Sequence, residues 1–331
     1  LAPDGKRTIL STYIGSSGND FAHDIIVDAS GSVYLTGYTY GFDFPVTNGS
    51  LDRTYNGYGD IFVLKLSPSG TTLAFSTFIG GDDVDFGYAL ALGADNSVYV
   101  AGGTVSIDFP TTVGALQPSI RTGTGMEDGF VLRIAENGSA LEYCTYLGGG
   151  DLDHVLGIQV DGEGCAFVTG STGSEDFPTT IGAFSRTLQG QDAFVAKLDP
   201  AGGSLLYSTF LGGAGMDLGN ALMVDSGGDC YVTGDTSSYN FPVVFEAATG
   251  FFHGRWDCFA ARLAAAGAEL IFSGFIGGSG DDSAAAIVVD DGGNVTITGT
   301  TSSADLPTTA AAQNRTIPGR RSLFVARLDP V

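Results

Sequence analysis

The segment DAFVAKLDPAGGSLLYSTFLGG, residues 192–213, decides the fold. Two alternating apolar runs flank the turn DPAG, the pattern of short antiparallel strands bounded by Gly, Asp and Pro. Its closing string, STFLG at Ser208, returns as STYIG at Ser11, STFIG at Ser76, CTYLG at Cys144 and SGFIG at Ser273. The steps are 65, 68, 64 and 65 residues, so the chain holds five copies of one unit. Each copy runs from an STxxG strand through a Gly/Asp loop, a strand such as DIIVD, a tight turn, and a strand such as SVYLTG. A long connection containing DFPxT follows, then a strand such as DIFVLKL and a turn such as SPSG. Four strands repeated five times predict an all-β fold, a five-bladed β-propeller of four-stranded antiparallel blades spanning residues 1–331 as one domain. No segment sustains a 3.6-residue period, so little helix is expected.

Positions shared by all copies are read as fold determinants. Gly15, Gly80, Gly148, Gly212 and Gly277 end one strand; Gly37, Gly102, Gly170, Gly234 and Gly299 end another. Phe62, Phe130, Phe194, Phe259 and Phe324 recur where a ring can fill space between blades. The ends carry parts of one turn: Leu1 to Gly5 resembles the LxPxG turn that Leu328 to Val331 begins. Residues 8–14 are therefore expected to be the outer strand of the C-terminal blade, closing the ring. The competing expectation is self-association, with that strand added to the edge of another molecule.

The strings STFLGGxGxD, VDxxGxxYVTGxTxSxDFPTT and DAFVAKLDPxG resemble the SBBP family of bacterial β-propeller repeats. Val168 to Thr180 (VTGSTGSEDFPTT) and residues 192–213 match most fully, and the resemblance extends along nearly the whole chain. It implies an exported or surface-associated part of a larger protein and implies no particular activity. The family name suggests seven blades, whereas five copies are counted here.

Composition narrows the partners. The chain has 331 residues, a formal charge of −23, 14 Lys and Arg, and a mean hydropathy of +0.19. So few basic residues exclude a nucleic-acid or anionic-lipid surface, and no apolar run is long enough for a membrane span. The hydropathy excludes intrinsic disorder. Thirty Asp stand against seven Glu, so the acidity reads mostly as turn chemistry. Leu1 follows no basic-then-apolar leader, so an export signal, if the protein has one, is expected to lie outside this sequence. Cys144, Cys165, Cys230 and Cys258 show no CxxC spacing and leave the redox compartment open.

The longer connections should share one face of the propeller, where binding residues are expected. Asp20, Asp85, Asp153, Asp217 and Asp282 each lie nine residues after the start of their STxxG strand. The crossover must span three strand spacings, about 14 Å, and five extended residues reach about 17 Å. These carboxylates should thus land beside the inner strand. A ring of them would invite calcium; alternatively each accepts hydrogen bonds from its own loop. Asp43, Asp108, Asp176 and Asp305, with Asn240 in the fourth copy, read as loop caps, since Asn supplies the same oxygen. Asp28, Asp161, Asp225 and Asp290 read as turn residues, and Asp60, Asp128, Asp192 and Asp257 could tie their strand to a neighbouring blade.

Single-copy residues are candidates for function because symmetry does not require them. The fourth connection gathers Tyr239, Phe241, Phe245, Phe251, Phe252, His253, Arg255 and Trp256. Of these, Tyr239, Phe251, Phe252, His253, Arg255 and Trp256 are the candidate ligand-binding set, suited to stacking on sugar rings or anchoring a protein. They could equally bury the loop against its own blade. The three histidines share no common offset, so no repeated metal ligand set is expected. No GxSxG, HExxH or phosphate-binding loop is present. Glu127, Glu175 and Glu246 could serve a glycosidase in the axial funnel, though nothing singles out a pair. The leading expectation is a non-enzymatic exported module of a cell-surface or extracellular assembly. A lectin-like carbohydrate binder is the alternative, and a glycoside hydrolase the third. The expected partner is a cell-surface protein or carbohydrate.

Overall fold

The computed structural model describes residues 5–121, 123, 125–244 and 251–329. It contains five antiparallel sheets arranged like propeller blades. The first comprises β1 (Asp20–Val27), β2 (Val33–Thr39), β3 (Asp60–Leu66) and β4 (Leu73–Ile79). The second has β5 (Asp85–Leu92), β6 (Val98–Thr104), β7 (Asp128–Ile134) and β8 (Leu141–Leu147). In the third lie β9 (Asp153–Val160), β10 (Ala166–Thr172), β11 (Asp192–Leu198) and β12 (Leu205–Leu211). The fourth holds β13 (Asp217–Val224), β14 (Cys230–Thr236), β15 (Asp257–Leu263) and β16 (Leu270–Ile276). The last has three strands, β17 (Asp282–Val289), β18 (Val295–Thr301) and β19 (Ser322–Leu328).

Within each sheet the strands pair in chain order, and the first strand of each later sheet packs on three strands of the sheet before it. The apolar core lies between sheets. The repeated Phe62, Phe130, Phe194, Phe259 and Phe324 are all buried there. Phe44, Phe109, Phe177 and Phe241, the rings of the DFP and NFP loops, lie on the first four at centroid distances of 4.6, 4.8, 4.5 and 4.6 Å. Such a ring pair contributes about 0.5–1.5 kcal/mol beyond its area, so each long loop is anchored to its own blade. The fifth copy has Leu306 instead.

The turn chemistry follows the sequence. Oδ1 of Asp28 accepts the amides of Ser30 and Ser32, and Asp161, Asp225 and Asp290 do the same in their turns. Lys65, Arg133, Lys197 and Arg262 lie over the rings of Tyr34, Tyr99, Phe167 and Tyr231. Each also reaches a turn carboxylate, so much of the scarce positive charge serves the fold. All four cysteines are buried and unpaired.

The ends differ from the expected latch. Residues 8–14 form no strand, and among the described residues nothing pairs with the outer edge of β19. Leu10 instead covers Gly70, and Ile14 joins the core of the first sheet, so apolar burial holds the segment there. The terminal sheets keep apolar side chains in solvent: Phe21, Ile25 and Val27 on β1, Leu323 and Val325 on β19.

Candidate functional site

Each inner strand carries a β-bulge at the same place. Register skips one residue between Ala22 and Asp24, Gly87 and Ala89, Gly219 and Ala221, and Ala284 and Ala286. In β9, Val155 and Gly157 face consecutive residues of β10, leaving Leu156 over. The cause lies in the neighbouring strand. A methyl group built on Gly37, Gly102, Gly170, Gly234 or Gly299 would sit 1.7–2.0 Å from the carbonyl oxygen of Phe21, Phe86, His154, Leu218 or Ser283. Only glycine lets the inner strand press that close. The bulge then re-aims the extra residue. The residues so displaced are His23, Tyr88, Leu156, Asn220 and Ala285.

Four of the five, His23, Tyr88, Leu156 and Asn220, line one pocket of about 440 Å³ together with His154. An aromatic wall adjoins it. Phe21 stacks on Tyr38 at 4.9 Å, Phe86 on Tyr88 at 5.7 Å, and the Phe86 ring meets the Tyr38 ring at 4.9 Å. His23 lies 5.4 Å from both Tyr38 and Tyr88. One polar group of the lining is held in place: Asn220 Nδ2 donates to the Ala284 carbonyl at 2.8 Å.

Behind the pocket sits a residue found in one copy only. Glu127 is 9% exposed, immediately precedes β7, and places Oε2 3.3 Å from His154 Nε2. It fits because Gly103 has no side chain: a methyl group there would lie 1.5 Å from Glu127 Oε1. The two histidines are tuned oppositely. Burial lowers the pKa of His23. Burial also pulls at His154, but the hydrogen bond and charge of Glu127 outweigh it and raise the value. Burial, followed by the Glu127 charge, pushes the Tyr88 phenol far up. The pocket therefore combines aromatic faces, two imidazoles, one of them paired to a carboxylate, and an amide.

The ligand-binding candidates of the fourth connection differ in exposure. Tyr239 and Phe251 are 78% and 66% exposed, and His253 and Arg255 also face solvent. Phe252 packs on Phe275 at 5.8 Å. Trp256 is half-buried, and its carbonyl accepts the Asp282 amide at 2.8 Å, the contact that Glu127 makes with Asp153 at 2.9 Å. Glu175 is exposed in its DFP loop. Phe245 and Glu246 lie outside the described residues. The pocket residues were hidden in the sequence as one aligned column, three after each crossover aspartate, that reads His, Tyr, Leu, Asn, Ala.

The crossover aspartates open the inner strands. Asp85, Asp153, Asp217 and Asp282 are fully buried, each beside the first residue of the preceding sheet's third strand: Asp60, Asp128, Asp192 or Asp257. Oδ2 of Asp85, Asp217 and Asp282 each accepts a glycine amide and a serine hydroxyl. The loop caps behave as read: Asp43, Asp108, Asp176, Asn240 and Asp305 each accept a crossover amide at 2.7–2.9 Å. Asp161, Glu163 and Cys165 also come together, within a turn where Asp161 is occupied by two amides and Lys197.

The family comparison agrees with the repeat unit. Residues 11–45 match the family model of the SBBP β-propeller repeat. No curated protein matches the chain. Among solved structures, a gluconolactonase from Xanthomonas campestris is 14% identical, with 84% of this chain and 69% of that one covered and a TM-score of 0.41. A GH43 β-xylosidase/α-arabinofuranosidase from a compost metagenome is 12% identical, with 97% and 93% covered and a TM-score of 0.39. BamB from Moraxella catarrhalis is 11% identical, with 84% and 74% covered and a TM-score of 0.34.

Proposed function

We propose that this chain is a non-enzymatic binding module of an exported, cell-surface or extracellular assembly, and that its inner pocket takes a carbohydrate. One observation carries the reading. Residues that differ in every copy converge, through a bulge that every copy shares, on a pocket of about 440 Å³ beside stacked aromatic rings. A sugar ring offers apolar C–H faces for such rings and hydroxyls for imidazole and amide groups. Glycoside hydrolysis would need a second carboxylate about 5–10 Å from Glu127, and the pocket lining contributes none.

Calorimetric titration with oligosaccharides identified on a glycan array tests this. Saturable binding is expected, weakened at least about tenfold, or about 1.4 kcal/mol, by Tyr88→Ala and by Asn220→Ala. Equal affinity in both folded variants refutes the pocket as the site; loss on Trp256→Ala alone would move it to the loop face.

Ring closure belongs to the same reading. Residues 8–14 repeat the outer-strand sequence that the fifth sheet lacks, and their pairing with β19 would complete that sheet. Light scattering separates the two ways of pairing: a mass near 33.9 kDa means closure within one chain, and a concentration-dependent larger mass means exchange between chains.

A further inference from the structure

The sheet junctions hold buried carboxylates in pairs. A methyl group built on Gly80 would sit 2.8 Å from Asp85 Oδ2 and 2.9 Å from Asp60 Oδ1. At Gly212 the distances are 2.6 Å to Asp217 Oδ2 and 2.7 Å to Asp192 Oδ1. Around Gly277, Asp282 Oδ2 lies at 3.0 Å, and Asp257 Oδ1 is closer still. Both acids of each pair thus press on one glycine. All six are at most 1% exposed.

Their hydrogen bonds are lopsided. Oδ2 of Asp217 accepts the Gly213 amide and the Ser238 hydroxyl, both at 2.7 Å, and Oδ2 of Asp192 accepts the Gln189 amide at 3.2 Å. The Oδ1 atoms of Asp60, Asp192 and Asp257 are buried without a partner, whereas the hydroxyls of Thr104 and Thr236 also serve Asp85 and Asp217. A buried unsatisfied polar atom is costly and rare. Two buried carboxylates side by side also cannot both stay ionised cheaply. One proton answers both difficulties, because a carboxyl O–H donates and the facing carboxylate accepts.

We propose that the junctions Asp60–Asp85, Asp192–Asp217 and Asp257–Asp282 are each closed by one proton shared between the two aspartates. The second junction has the same placement, with Asp128 opposite Asp153. The crossover acid is the better-supported anion, having an amide and a serine hydroxyl as donors, so the proton resides mainly on the third-strand acid. Asp20 supplies a contrast: Ser322 stands where its partner would be, and hydroxyls and an amide fill both its oxygens.

Burial, the largest cause, and the paired carboxylate raise Asp60 and Asp257 to about 7 and Asp192 to about 6. Burial likewise lifts Asp85 to about 7 and raises Asp217. Other charged or titratable groups face some pairs: Asp52, Tyr55, Asp108, Cys144 and Tyr146 the first, Asp305 and Cys258 the last. Among the described residues no other charge shifts Asp192 or Asp217, so the test is placed there.

The sign follows from linkage. The folded chain keeps protons that the unfolded chain, with carboxyls near 4, has lost, so stability falls as pH rises from about 4 to about 7 and then levels off. Urea unfolding from pH 4.5 to 8.5 should show this fall. Asp192→Asn, whose amide replaces the proton, should fold and lose one junction's share of the pH slope. Independently, the infrared spectrum of the wild-type protein at pH 7 should show the C=O band of protonated carboxylic acids. Stability that is flat or rises across that range, an unchanged slope in Asp192→Asn, or no protonated-acid band overturns the proposal. A melting temperature that rises with calcium and falls with chelator would overturn it too, in favour of a metal ion.

Discussion

Replacing Gly212 by Ala tests how the repeated glycines and the buried acids depend on each other. The glycine directly follows β12, and its φ is not positive, so any cost is steric rather than conformational. The added carbon would lie 2.6 Å from Asp217 Oδ2, 2.7 Å from Asp192 Oδ1 and 2.8 Å from Asp192 Cγ. Neither carboxylate can step aside without breaking a hydrogen bond, to Gly213 and Ser238 on one side or to Gln189 on the other. Overpacking of this kind costs about 1–3 kcal/mol, and a lost hydrogen bond to a charged group adds about 1.5–3 kcal/mol. The expected loss is therefore about 3–5 kcal/mol by urea unfolding followed by circular dichroism. Gly162→Ala is the matched control, because a methyl group there meets nothing within 4 Å; it should stay within about 0.5 kcal/mol of wild type. Gly15→Ala should fall between them, since it meets Asp20 alone, and Asp20 is half-exposed. Gly212→Ala as stable as Gly162→Ala would refute the crowded junction.

Two further outcomes follow from burial and charge. His154 should titrate above the ordinary histidine value, and Glu127→Gln should bring it down, measured by imidazole NMR; stability linked to His154 is present below about 6.5 and lost as pH rises through the folded value. An unshifted His154 in the variant would show that Glu127 does not set it. Cys144, Cys230 and Cys258 should resist a thiol reagent in the native state, because burial raises all three thiols, Cys230 to about 12. All four cysteines should react after denaturation, and rapid labelling of any of those three before it would contradict their burial.

The fold was legible because each repeated residue type answers to one local need. The Asx turns, the loop-capping oxygens that accept Asn240 in place of Asp, and the interblade phenylalanines all followed from residue type and position. The pairing of Asp60, Asp192 and Asp257 with the crossover acids was half legible: their tie to a neighbouring blade was expected, their partner was not. Separation explains the gap. Asp60 and Asp85 meet only because five crossover residues carry the chain from the outer strand of one sheet to the inner strand of the next, and Gly80 must be bare for both to fit. Nor was the missing fourth strand of the last sheet visible, since residues 8–14 carry the outer-strand pattern whether or not they pair.

The pocket escaped for a different physical reason. A strand read with period two assigns alternate residues to opposite faces, and a bulge breaks that alternation without leaving a mark in the residue that is displaced. Its mark is in the partner strand, as the glycine whose hydrogen meets the bulged carbonyl. The column three residues after each crossover aspartate thus looked like noise between two invariant positions. That variation is what the geometry permits. On the inner strands the displaced side chains border open space as well as one another, so packing dictates their identity less tightly, and His, Tyr, Leu, Asn and Ala are all accommodated. Where the core contact is made, by contrast, every copy has phenylalanine. Glu127 and Gly103 show the same freedom used jointly: the second blade alone gives up a side chain on β6 and gains a buried carboxylate beside His154. Two coordinated departures from the repeat, meeting across a sheet junction, are not needed to build a blade, and they fall against the pocket where the proposed ligand would bind.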